Sequence, residues 1–176
     1  MQFIHNNRSW ISIIGVLVVL WFGLLYYVAF VQEEVSPQKA SLFVLNTYDG
    51  RVIGTEEFLG QPVVLNFWAA WCTFCRKEMP ILESLQHKYA DEGLIVIGVH
   101  RSETESRESG LDFVENEVQV TYTLVSDRNN NIFNYFGRGS HMVPLTVFID
   151  REGFITNTLV GARSELGFER FIKEIL

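Results

Sequence analysis

Residues 62–80 read PVVLNFWAAWCTFCRKEMP, and the fold follows from how this stretch is parsed. Pro62 to Trp68 is a near-continuous apolar run, the pattern of a strand buried on both faces within a partly parallel sheet. From residue 73 to 90, Met79, Leu82, Leu85 and Tyr89 recur at helical spacing with charges between them, and Pro80 should bend that helix. Between strand and helix lies Cys72-Thr73-Phe74-Cys75. Two cysteines three apart at a helix start can close a small disulfide within the first turn. The first sits where unpaired N–H groups and the helix dipole stabilise a thiolate, and Arg76 and Lys77 add positive charge. A partly exposed Cys72 would then attack a disulfide, and Cys75 would resolve the mixed disulfide.

Working outward, Gly93 stops the helix and Leu94–Val99 reads as a second buried strand. A helix over Glu105–Asn116, a strand over Tyr122–Ser126 and a short helix over Asn129–Phe136 continue the alternation. Leu145–Asp150 is another strand. Arg151-Glu152-Gly153 turns it into a hairpin partner, Phe154–Val160. Ser164 caps a last helix reaching Leu176, whose Leu166, Phe168, Phe171, Ile172 and Ile175 form an apolar stripe. Upstream, Tyr48-Asp49-Gly50 turns between β-prone runs from Leu42 to Ile53. The pattern predicts one α/β domain over residues 41–176, a central mixed sheet covered by helices on both faces.

The 176 residues leave room for that domain and an appendage. Residues 10–31, WISIIGVLVVLWFGLLYYVAFV, carry no charge over 22 positions. As a helix they would reach roughly 33 Å, enough for a hydrocarbon core of about 30 Å. The run is longer than a signal-peptide core, and Ala29-Phe30-Val31 is a poor cleavage site, so an uncleaved transmembrane anchor is expected. Arg8 precedes the span and Glu33 and Glu34 follow it, which favours a short cytoplasmic tail (1–9) and an extracytoplasmic domain beyond a polar tether (32–40). A net charge of −7 argues against nucleic-acid binding. Two cysteines exclude a disulfide-rich scaffold and a four-thiolate zinc site.

Residues 66–80, from Asn66 through Cys72 and Cys75 to Pro80, resemble the active-site block of membrane-anchored thioredoxin-like proteins of the TlpA/ResA type. Val143-Pro144-Leu145-Thr146-Val147-Phe148-Ile149-Asp150 resembles the later strand of that family, which opens with a cis-proline beside the cysteines. The resemblance implies a thioredoxin-like fold and extracytoplasmic thiol–disulfide exchange with protein partners, without cofactor or resident metal. It implies reduction as the direction, fed by a membrane electron donor, and docking of the partner against Trp71, Val143 and Pro144. Three departures stand out. Asn66 replaces thioredoxin's buried aspartate, and an amide cannot shuttle a proton; in this branch Glu78, three residues after the second cysteine, is the implied helper, although the bland reading is an exposed helix carboxylate. Thr73-Phe74 between the cysteines leaves the redox potential open. Leu145 replaces the polar residue that often follows the proline, which weakens a haem-maturation role. His87 reads as solvated, and His100 as a residue near the site without a role.

Two other readings compete. A copper chaperone on this fold would use Cys72 and Cys75 with His141 or Met142, soft ligands that suit that metal, but such chaperones carry a CxxxC pattern. A non-catalytic binding module would keep Cys72–Cys75 as a structural disulfide.

Overall fold

The computed structural model describes residues 7–31 and 38–176. The chain divides into two units, residues 1–36 and 37–176. In the first, Asn7–Val31 is one helix, α1. Its side chains are described over residues 12–27 only, and among the described residues no helix is long and apolar enough to cross a membrane. Residues 1–6 of the expected tail and 32–37 of the expected tether lie outside the described residues.

The second unit is a seven-stranded mixed sheet. Its strands are β1 (Val44–Thr47), β2 (Val52–Gly54), β3 (Val63–Trp68), β4 (Ile95–His100), β5 (Thr123–Ser126), β6 (Leu145–Ile149) and β7 (Ile155–Val160). They lie in the order β2-β1-β5-β4-β3-β6-β7. β3 pairs in parallel with β4 and antiparallel with β6, so it is central, and all six of its residues are buried. That is why the run from Val63 to Trp68 lacks polar alternation: both faces are covered. The helices are α2 (Thr73–Lys88), α3 (Arg107–Phe113), α4 (Asn131–Gly137) and α5 (Glu165–Ile175).

Two apolar clusters sandwich the sheet. Val64 and Trp68 of β3 point to one face, with Met79 and Leu82 of α2, Phe113 of α3, and Phe168 and Ile172 of α5. Val63, Leu65 and Phe67 point to the other, with Ile132, Phe133 and Phe136 of α4. Each fully buried large side chain contributes roughly 1.5–3 kcal/mol of transfer free energy. The expected hairpins form, with Val44 opposite Gly54 and Leu145 opposite Val160.

The helix expected over Glu105–Asn116 is different in detail. Ser106 caps it through its hydroxyl, which accepts the Ser109 amide at 3.1 Å, so Glu105 stays outside. After Phe113 the backbone widens into one π-helical turn, Val114–Val118. The extra residue lets Phe113, Val114 and Val118 all reach the core.

Candidate active site

β3 ends at Trp68, and the next four residues turn the chain into α2. The Cys72 amide donates to the Ala69 carbonyl at 3.1 Å, closing that turn. Cys72 is therefore the N-cap of a 16-residue helix, and its Sγ accepts the Cys75 amide at 3.1 Å. Cys72 and Cys75 are joined in a disulfide with Cα atoms 5.3 Å apart. The sequence suggested a partly exposed Cys72; it is 4% exposed and Cys75 is fully buried. Both sulfurs belong to the apolar cluster of Ala69 and Met79, against which Val143 is half-buried. What stands in solvent is the rim, Trp71 and Phe74. Arg76 is engaged elsewhere, its guanidinium paired with Glu117 at 2.5 Å and lying over the Phe113 ring.

Phe67 pairs with Leu145, so Val143-Pro144 emerges at the same end of the sheet as the cysteine turn. The Val143–Pro144 peptide bond is cis, as the resemblance implied, and Pro144 is buried. His141 and Met142, just before it, are exposed. Among the described residues no cluster of three or more His, Cys, Asp or Glu could hold a metal ion.

Glu78 is not an exposed helix carboxylate. It is completely buried, one turn along α2 from Cys75. Asn66, on the same face of β3 as Val64 and Trp68, donates from Nδ2 to Glu78 Oε1 at 2.6 Å and to Thr146 Oγ1 at 3.1 Å. Glu78 Oε2 has no side-chain partner among the described residues. Burial pushes the Glu78 carboxyl up to about 7, against the pull of the Asn66 amide and of Arg163. A carboxyl held near neutrality, one turn along α2 from Cys75, has the acidity a proton exchanger needs at neutral pH. Sequence reasoning had a signal for this: Cys75, Glu78, Leu82 and Leu85 lie on one stripe of α2.

His100, read from sequence as near the site, is fully buried and stacked 4.5 Å from the ring of Trp68, four residues before Cys72. Its Nδ1 meets the Tyr48 hydroxyl and its Nε2 meets Glu105 Oε1 at 2.8 Å. Burial lowers its pKa, partly opposed by Glu105. His87, by contrast, is exposed as expected and pairs with Glu83 at 3.0 Å. An apolar cavity of about 300 Å³ lies at the other end of β3, lined by Leu42, Phe58, Val63 and Ile149 among others, and holds none of these residues.

The sequence pattern of the AhpC/TSA family matches residues 37–158. The chain is 30% identical over 175 residues to the thiol-disulfide oxidoreductase ResA of Halalkalibacterium halodurans, covering 97% of this chain and 96% of the relative. It is 29% identical to the thioredoxin-like protein YneN of Bacillus subtilis, covering 93% and 96%. Among solved structures, it superposes with a TM-score of 0.72 on a thiol:disulfide interchange protein of the thioredoxin family from Chlorobium tepidum. That match has 25% identity and covers 81% of this chain and 98% of the other.

Proposed function

The chain belongs to the AhpC/TSA family and is a thiol–disulfide oxidoreductase of the ResA/DsbE type, and from that premise we propose a membrane-anchored reductase of protein disulfides outside the cytoplasm. The observation that carries the chemical part is the arrangement at the start of α2: Cys72 at the cap, Cys75 buried behind it, and Glu78 buried one turn further against Asn66.

In the proposed cycle the reduced protein presents Cys72 as a thiolate, stabilised by the positive end of α2. It attacks one sulfur of the partner's disulfide; a Cys72–partner disulfide forms and the partner's other sulfur leaves as a thiolate. Cys75 passes its thiol proton to Glu78 and attacks Cys72 Sγ, releasing the second partner thiolate. Two electrons pass to the partner and the Cys72–Cys75 disulfide is regained. Exposed Trp71 and Phe74, with part-buried Val143, would hold an extended partner segment against Pro144 over these sulfurs. Glu78 supplies what Asn66 cannot, a group able to exchange a proton near neutral pH.

Reduction as the direction is proposed from the TlpA/ResA-type resemblance of residues 66–80 and 143–150. Anchoring and location are proposed from the uncharged run 10–31 and the 25-residue helix that contains it. Electrons would then arrive from a membrane donor. The equilibrium reduction potential of Cys72–Cys75 tests the direction. A value near about −270 mV fits a reductase, and one near about −120 mV would replace it with an oxidant.

A further inference from the structure

The cysteine turn and the loop before Pro144 are two walls at one end of the sheet, and one short segment grips both. It is residues 101–105, between β4 and α3. Glu105 Oε1 accepts the backbone N–H of Ala70, two residues before Cys72. Thr104 Oγ1 accepts the indole N–H of Trp71 at 3.2 Å and donates to the Arg101 carbonyl at 2.8 Å. On the other wall, Arg101 Nη1 donates to the carbonyl of His141 at 3.0 Å, three residues before Pro144.

The segment is itself fixed from beneath. The Arg101 amide donates to the Trp68 carbonyl at 3.0 Å. The Arg101 guanidinium is buried, bound to Asn130 and Glu103 and stacked 4.0 Å over Phe133. His100 holds Glu105 from below, and Tyr48 holds His100. Gly110 of α3 makes room for this pair, since a Cβ there would lie 2.6 Å from His100 Cε1 and 2.7 Å from the Tyr48 hydroxyl. A buried guanidinium and a part-buried carboxylate are costly unless paired, and here each, besides its partners beneath, binds one backbone group of a wall, Arg101 the His141 carbonyl and Glu105 the Ala70 N–H.

We propose that residues 101–105 form a clasp that sets the width of the partner-docking opening, with Glu105 the positioning residue for the Cys72 wall and Arg101 for the Pro144 wall. Neither touches the sulfurs. The clasp acts on exchange with folded or extended protein partners, which contact both walls, and not on small disulfides, which contact only Cys72. It rests on the exchange reading above.

The test uses the full-length chain, reduced, in detergent micelles, with insulin as the protein disulfide and 5,5′-dithiobis(2-nitrobenzoate) as the small one. Glu105→Ala should slow insulin reduction about tenfold, the cost of a lost charge-assisted hydrogen bond to a positioned wall, while the small-disulfide rate stays within about twofold. Glu105→Gln, whose carbonyl still accepts from Ala70 and from a neutral His100, should restore most of the insulin rate. Thr104→Val, nearly isosteric, gives a second comparison if Glu105→Ala folds poorly, with a fall of about threefold on insulin alone. Equal falls on both disulfides, or none, would overturn the clasp. Cys72→Ser separates the two readings. If it leaves insulin reduction intact, exchange through Cys72 fails and the clasp fails with it; if it abolishes reduction while Glu105→Ala is inert, only the clasp fails.

Discussion

At Glu78 the fold and bulk water disagree about a proton. The carboxyl titrates near 4.5 in water and near 7 in the fold, because burial penalises its charge. Between those values the folded chain binds the extra proton, so the associated stability is complete below about 4.5 and lost as pH rises through about 7. Glu78→Gln, neutral throughout, removes the slope. Urea unfolding of the oxidised protein should show the parent losing about 3 kcal/mol relative to the variant between about pH 4.5 and 8; parallel curves would mean Glu78 is solvated. In the proposed cycle the two sulfurs divide labour by depth. Cys75→Ser should accumulate mixed disulfides through Cys72, visible on non-reducing gels and by mass spectrometry, and Cys72→Ser should trap none; the reverse pattern would exchange their roles. The pair was legible in the sequence because its chemistry is local: two thiols, one helix start. Glu105 and His100 were not. Their partners, Ala70 and Tyr48, lie 35 and 52 residues away, and nothing near Glu105 distinguishes it from a solvated helix residue.

Elements were easier to read than their edges. β3 was plain because a strand covered on both faces has no polar alternation to dilute the signal. α5 was plain because Ser164 begins it and its stripe is regular; its hydroxyl accepts the Gly167 amide at 3.3 Å. Ser164→Ala should therefore cost about 1 kcal/mol in chemical unfolding, with no change in exchange rate, and a cost near zero would deny the cap a role. α3 was misread at both ends, since a capping serine inside a run of polar residues and a single π-helical turn both depend on what the core beneath requires. The same element carries a sharper expectation. Gly110→Ala would push a methyl into His100 and Tyr48, so α3 must move; a loss of about 1–3 kcal/mol follows, and a neutral result would show that the pair can give way.

At the scale of the whole chain, the sheet places its chemistry at one end: the C-terminal end of β3, the start of β6 and the exit of β4 converge there. That convergence follows from the alternation of strands and helices, which is why the domain could be anticipated from pattern, whereas the clasp across it could not. The proposed topology has its own test. Protease added to intact spheroplasts should remove the domain and spare a short N-terminal fragment; a domain that survives until the membrane is breached would reverse the orientation. The stack of Trp68 on His100 also makes the molecule optically legible. Indole emission is quenched more strongly by imidazolium than by imidazole, and burial lowers the His100 pKa, partly opposed by Glu105. The fluorescence difference between the parent and Trp68→Phe is then an internal light meter, expected to dim as His100 takes up a proton in acid, that reads the underside of the cysteine turn without a label.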